Sequence, residues 1–538
     1  VKCDLNYETL TIEEVLQHLQ TCIDAESDKN VEGKWLEAVN FDLSGMTTKS
    51  GSRTKADLDN LNTVRPVILT ATDHHTFFVN SAALKISGIN ASTPDPPGGR
   101  VDRLPGSREP SGMLQDTASE LLAGPDPLTT EELKTGLQAA LRALREAGVT
   151  TFQEAVASPS QHALFQSIQT TGGLSARPFF DYRITVPDTT AGVDALVKDV
   201  VNVTSTLSTP GKVVPNPVFK WQAVKIFMDG IIMYPANTGA VLGPYLYQVG
   251  NSSEWVVPPN ATIVEPYVKL EPLAALLGEL AKNRVDAQIH ADGDGAVRRV
   301  LDAVEVFRAQ SPNLTDYKIA IAHAELSHPD DWKRRGDLGV DAIVSFQWAQ
   351  PSATWDPLTF NSLGSERVPY LEAFVDIAEG GRPVIYGSDW PIDQLDEFLA
   401  LKAGVIRQGD PQNPHSPASQ GAPFNTSTFP GRKMTREAAL RAITIEAARF
   451  LRADTSIGSL EVPEEEIARQ KVLLTMLGGE VVYVADGTDL GRGVTPKFPN
   501  TNTTTADVKN VGGFSGRAIS EQAKELRSVL GRRHSCHH

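Results

Sequence analysis

Cysteine is scarce in this chain: three in 538 residues, at positions 3, 22 and 536. None neighbours the histidines discussed below, which argues against a zinc–thiolate centre. Spacing alone leaves open whether Cys3 and Cys22 pair. Long apolar runs are also missing, and no stretch approaches the ~20 residues that a membrane span needs. Positive charge is short. The chain has 50 Lys and Arg against 66 Asp and Glu, a net charge of −16, with no basic run. Nucleic acid and anionic membranes are therefore poor partners. There is no G-x-G-x-x-G fingerprint, no Walker loop and no G-x-S-x-G elbow. Nucleotide-dependent and serine-hydrolase chemistry lose support with them.

What is present is ordinary globular material, 41% hydrophobic and 22% charged, enough for a large core. N-x-S/T sequons occur at Asn90, Asn202, Asn251, Asn260, Asn313, Asn425 and Asn502, more than chance predicts at this length. They read as glycosylation of a secreted, extracellular protein. The alternative is a cytoplasmic chain that is merely rich in Asn and Thr.

Residues 1–147 read as an irregular, mostly helical insertion region that packs on a barrel. TIEEVLQHLQTCIDA (11–25) is a helix behind a Thr N-cap. RPVILTATDHHTFFVNSAALKISGI (65–89) reads as strand, polar turn and helix. The Pro- and Gly-rich stretch 92–112 reads as a loop. EELKTGLQAALRALREAGV (131–149) is an amphipathic helix closed by Gly148. A β–α rhythm follows through 148–452. Its strands are expected at 150–155, 179–186, 221–228, 286–290, 318–324, 341–347 and 383–388, with helices at 273–283 and 296–310 among others. Such alternation predicts a parallel α/β sheet of the (β/α)8 barrel type, with seven strands visible and the first apparently missing. A helix is expected at 435–451. A hairpin around Gly478-Gly479 lies in 453–495, which reads as the remnant of a small β-sandwich. Residues 496–538 read as a loose tail with a short helix at 519–530.

His290, His323 and Asp389 each end one of the expected strands, in DAQIHADGD, KIAIAHAEL and PVIYGSDWPID. Imidazole and carboxylate supply lone pairs, and the end of a buried strand supplies a fixed position. The C-terminal mouth of a parallel barrel is where such enzymes keep their chemistry. A single strand histidine is more often a packed core residue. Two on consecutive strands with a following strand-end aspartate favour a metal site, with Asp389 as ligand and general base. Lys225 lies inside an apolar strand. It is either carboxylated to an anionic ligand, paired with Glu154, Asp229 or Asp389, or an edge lysine reaching solvent. Glu154 ends another strand, as ligand or as a carboxylate orienting another group. Asp292 and Asp294 are expected to hold a loop or cap the next helix. His75 lies outside the strand series and is a candidate for polarising a substrate carbonyl, and Trp348 and Trp390 suggest an apolar substrate surface.

As an ordered set, these segments resemble a known family. They include DHHTFFVNSAALKISGI (73–89), REPSGMLQD (108–116), GVTTFQEA (148–155), VKIFMDG (224–230), IHADGDGAV (289–297), IAHAEL (321–326), YGSDWPID (386–393) and IGSLEV (457–462). The resemblance is to the amidohydrolase superfamily, in its branch of YtcJ-like metal-dependent hydrolases, amidohydrolase family 3. It implies a barrel with a small β-sandwich, one or two divalent ions such as zinc, and hydrolysis of an amide or other C–N bond of a small molecule. By position, His290 and His323 look like the strand-five and strand-six ligands, and Asp389 like the strand-eight ligand and base. Lys225 matches the strand-four position, carboxylated in some relatives, and His75 a D-x-H position near substrate. Asp229 is expected as a supporting group beside the metal ligands, and a homodimer is a further expectation. Two departures stand out. The family's H-x-H pair of strand one is absent, and IGSLEV runs straight into PEEEIARQKVLL without a Gly-Lys-x-Ala-Asp segment. A fragment, an altered product or a divergent, metal-weakened binding protein on the same scaffold would each account for them. A metal-dependent isomerase or lyase is a third possibility, since fold does not fix reaction.

Overall fold

Two separate sheets organise the chain in the computed structural model, which describes residues 2–26, 30–45, 53–170, 173–210, 218–250, 252–453, 472, 474–477 and 480–484. One compact unit contains the described residues up to Ala143 together with Val156–Leu174. Its sheet has six strands: β1 (Cys3–Asp4), β2 (Leu36–Phe41), β3 (Val67–Ala71), β4 (Thr76–Val79), β5 (Gly99–Arg103) and β6 (Pro110–Asp116), in the order β1-β2-β3-β4-β6-β5. The β1–β2–β3 pairings are parallel and the others antiparallel.

The helix Ile12–Ala25 starts as the sequence predicts. The Thr11 side chain accepts from the Glu14 N–H, and the Glu14 carboxylate accepts from the Thr11 N–H at 2.8 Å. Ile12, Val15, Leu19 and Ile23 form its buried face, in one core with Leu36, Leu69 and Phe78. Cys22 on this helix is disulfide-bonded to Cys3 on β1, with Cα atoms 5.9 Å apart.

The expectation of a mostly helical region over 1–147, and of an irregular 92–112, is corrected here. Pro and Gly punctuate the ends of β5 and β6 and leave the strands between them intact. The Leu104 N–H donates to the Glu109 carbonyl at 2.9 Å, Gly106 takes a φ of 69°, and Val101 pairs with Leu114 across the hairpin.

The second unit takes Leu144–Ala155 and the described residues from Ser175 onward. Its strands are β7 (Thr151–Ala157), β8 (Arg177–Arg183), β9 (Lys220–Phe227), a small hairpin of β10 (Tyr247–Gln248) and β11 (Trp255–Val256), then β12 (Asp286–Ala291), β13 (Ile319–His323), β14 (Asp341–Val344) and β15 (Ile385–Tyr386). Seven of them form one sheet in the order β15-β14-β13-β12-β9-β8-β7. Every pairing from β8 to β15 is parallel. Among the described residues, this matches the seven strands read from the sequence. The bounds shift by a residue or more, most at three strands: β8 runs 177–183, β14 stops at Val344 before a tight turn at Phe346–Trp348, and β15 is confined to Ile385–Tyr386.

Alternation sorts the two faces of the sheet. On β12, Ala287, Ile289 and Ala291 join the core shared with the helices Leu270–Lys282 and Asp294–Gln310, so Asp286, Gln288 and His290 take the opposite face. The helix Thr130–Glu146 ends at Gly148, whose φ is 80°, and a Cβ there would lie 3.0 Å from the Val472 side chain. Residues 436–450 are helical, with a wider turn at Ala442–Glu446. A hairpin of β16 (Leu474–Leu477) and β17 (Glu480–Val484) pairs where the sequence predicts one. The rest of the expected sandwich remnant, and the tail at 496–538 with its helix, lie outside the described residues. Among those residues, no helix is long and apolar enough to cross a membrane.

His74 sits in the β3–β4 turn with a φ of 55°. Burial, and then the positive charges of His75 and Lys2, lower its pKa from 6.5 to about 4. The unfolded chain takes up this proton first on acidification. Stability from the neutral ring is therefore complete above pH 6.5 and is lost as pH falls toward 4. Hydrogen exchange of the β3–β4 amides is expected to accelerate between pH 7 and pH 5 more in the parent chain than in His74→Asn, after correction for intrinsic rates. Equal acceleration would refute it. For the disulfide, whose loop spans a sequence separation of 19, Cys3→Ser with Cys22→Ser is expected to cost this unit about 3 kcal/mol in chemical denaturation.

Candidate functional site

Asp229, just past β9, is fully buried. Its Oδ1 accepts from the Asp292 N–H at 3.0 Å, and its Oδ2 accepts from the N–H groups of Ala240 at 2.9 Å and Gly293 at 3.0 Å. Oδ1 also lies 3.1 Å from Nδ1 of His290 at the end of β12. An ionised carboxylate only accepts, so Nδ1 carries the hydrogen, and in the neutral ring the lone pair is on Nε2. Asp292 and Asp294 hold a loop as expected, the one that follows β9, accepting from the N–H groups of Ile232 at 3.0 Å and Leu242 at 2.8 Å.

His323 reaches the same place by breaking the strand pattern. Ile319 and Ile321 face the helix-side core, and strict alternation would send residue 323 after them. The backbone instead turns left-handed at His323 (φ 77°) and Ala324 (φ 49°). The two imidazoles then meet edge to face, with centroids 4.6 Å apart. On its other side, Trp348 stacks against His323 at 5.5 Å and donates its indole N–H to Asp393 at 2.5 Å.

Asp389 follows β15 at a φ of 54° and is exposed. Ser345 Oγ donates to the Gly387 carbonyl and Gln347 Nε2 to the Ser388 carbonyl, fixing this strand exit. Lys225 is buried on β9, with Nζ 5.2 Å from the Phe227 ring centre. Burial lowers its pKa, while the charges of Asp389 and then Asp181 act to raise it.

Asp181 on β8 was not anticipated from the sequence. Burial pushes its pKa up to about 8. Gln153 and Lys225 act to lower it, and Asp286 and Glu154 to raise it. Gln153 Nε2 donates to it at 2.8 Å. Its sequence signal was available: a lone acid inside FFDYRITV. Glu325 was missed as well. Burial raises its pKa well above the carboxylate range, helped by Asp292, Glu372, Asp389 and Asp229. Its Oε2 and both Glu372 carboxylate oxygens lack a hydrogen-bond partner among the described residues.

The sequence-derived candidates thus divide between the units. His290, His323, Lys225, Asp389, Asp229, Glu154, Trp348 and Trp390 belong to one, and His75 to the other. His75 Nδ1 lies 2.5 Å from Asp116 Oδ1, and its N–H donates to Asp73 at 2.7 Å. Asp229, offered from the sequence both as one possible partner of Lys225 and as a supporting group beside the metal ligands, meets His290. Among the described residues, the His, Cys and acidic side chains with three ligand atoms all within 4.8 Å of one another are Cys3, His18 and Cys22. There the two cysteines are joined to each other. His290, His323 and Asp389 are not closed to that degree.

The Amidohydrolase family profile matches residues 4–483. The chain is 26% identical over 495 residues to Protein LONG AFTER FAR-RED 3 of Arabidopsis thaliana, covering 84% of this chain and 74% of that protein. It is 26% identical over 451 residues to N-substituted formamide deformylase of Arthrobacter pascens, covering 80% and 72% respectively. Among solved structures, an uncharacterized metal-dependent hydrolase from Pyrococcus horikoshii OT3 superposes with a TM-score of 0.53 at 20% identity, covering 84% of this chain and 78% of the other. That likeness extends the parallel α/β sheet to a shared TIM-like fold. With the profile running through almost all of its length, the chain belongs to the amidohydrolase family.

Proposed function

We propose that this chain is a metal-dependent hydrolase that cleaves an amide or other C–N bond in a small molecule. The observation that carries the reading is the pair of imidazoles at adjacent strand ends, one of them held by buried Asp229. The donor set of His290, His323 and Asp389 suits a borderline divalent cation such as zinc. Buried carboxyl groups around Glu325, some with oxygens that lack a partner among the described residues, lie near Asp389 and Asp229, and a bound cation would favour their ionised forms. A bound cation would lower the pKa of water toward neutrality and so make hydroxide available.

The remaining work falls to the chain. Asp229 holds His290 in one tautomer. Exposed Asp389 accepts the proton from the attacking water and returns it to the departing nitrogen. Water is thereby split across the C–N bond, giving an acid and an amine. Lys225 serves either as the charge partner of Asp389 or, as a neutral buried amine, as a site of carboxylation by carbon dioxide. Trp348 closes an apolar wall beside His323. The formamide deformylase relative is named for N-substituted formamides, so compact N-acyl amines are the first class to assay. A non-catalytic binding protein on the same fold is the second reading. It is favoured by the open arrangement of residues 290, 323 and 389.

The purified chain is expected to hold one or two equivalents of zinc by elemental analysis. No uptake after zinc soaking would support the binding-protein reading instead. His290→Ala and Asp389→Asn are expected to abolish N-acyl amine hydrolysis while leaving far-ultraviolet circular dichroism unchanged, and full turnover by either would refute the assigned roles. Asp229→Asn is expected to weaken zinc binding about 10- to 100-fold in a chelator competition.

A further inference from the structure

Five of the seven sequon asparagines lie in the described residues, and all five are exposed: Asn90, Asn202, Asn260, Asn313 and Asn425. Three of these share a local geometry. Asn260 follows Pro259 in a turn closed by the Ala261 N–H donating to the Pro258 carbonyl at 3.0 Å. Asn313 follows Pro312 in a turn closed by Leu314 and Ser311 at 3.2 Å. Asn425 occupies the same third position in a turn closed by Thr426 and Pro423 at 3.1 Å. At all three turns the asparagine is exposed to solvent. At Asn260 the surroundings are distinctive. Among the described residues there are eleven exposed large hydrophobics, and six lie between positions 242 and 263: Leu242, Tyr247, Val249, Val256, Val257 and Ile263. Exposed apolar side chains concentrated in one segment of chain are the kind of surface that a cover would shield from water. The Cys3–Cys22 disulfide independently fits an oxidising compartment, where sequons are modified.

We propose that Asn260, Asn313 and Asn425 carry N-linked glycans and that the glycan on Asn260 shields the apolar 242–263 segment. In the modification, the asparagine Nδ2 forms a bond to the anomeric carbon of a lipid-diphosphate-linked oligosaccharide. The diphosphate leaves with the electrons of the anomeric C–O bond, and Nδ2 gives up one proton. The bulky, strongly hydrated sugar then lies across side chains that otherwise face water.

The test uses the full chain secreted by a eukaryotic cell. Peptide N-glycosidase treatment followed by peptide mapping is expected to convert Asn260, Asn313 and Asn425 to aspartate. Secreted, disulfide-intact protein in which these three remain asparagine would overturn the glycan assignment. Asn260→Gln is expected to bind several-fold more of an apolar fluorescent dye than either the parent or Asn313→Gln, which loses a glycan elsewhere. Equal dye binding by the two variants would overturn the shielding role.

Discussion

The candidate site depends on one buried charge. Asp229 is removed from water, which is costly for a carboxylate unless its oxygens are fully engaged. Three backbone N–H groups and the His290 imidazole engage them. Those donors come from the loop before Val241 and from the turn between β12 and its following helix. The same contacts that satisfy the charge therefore fix the loop against the strand ends and set the His290 tautomer. Position and protonation are settled by one group.

The rest of the mouth is electrostatically unbalanced. Glu325 lies under the influence of Asp292, Glu372, Asp389 and Asp229, and none of these is positive. Lys225 is a nearby cation, and burial weakens its hold on its proton. Deeper in the sheet, level with Asp286 rather than with His290, Asp181 is pushed up to about 8 by burial. A mouth that drives carboxyl groups toward their neutral forms is one that a bound cation would relieve, because opposite charge favours the ionised carboxylate. Structural ion networks also perturb carboxyl groups. The two imidazoles in contact at the same place are what separate this arrangement from an ordinary acidic cluster.

Much of this was legible in the sequence, for a physical reason. Parallel strands buried on both faces read as short apolar runs, and residues at their ends mark the mouth. All seven strands of the larger sheet, and the placement of His290, His323 and Asp389 at strand ends, came through on that signal. The amino-terminal sheet did not. Its strands β5 and β6 lie among Pro and Gly, and the punctuation masked the alternation between them. The partner of His290 was also hard to read. Asp229 was expected both beside the metal ligands and among the possible partners of Lys225, and only the fold shows that it meets His290 Nδ1. Asp181 and Glu325 were hidden differently, because a single acid in an apolar strand has many structural explanations.

His323 marks the limit of pattern reading. Alternation assigns it to the helix side, where Ile319 and Ile321 sit. Two successive left-handed residues, neither of them glycine, turn it to the other face. Such backbone costs about 1–3 kcal/mol per residue and persists only where surrounding contacts over-determine it. Here those contacts are the His290 ring on one side and the Trp348 indole, anchored to Asp393, on the other. Asp389 also adopts the left-handed region, at φ 54°. Two strand ends at one mouth both depart from relaxed geometry, and both departures fall on side chains with lone pairs. A scaffold selected for packing alone would have little reason to keep them.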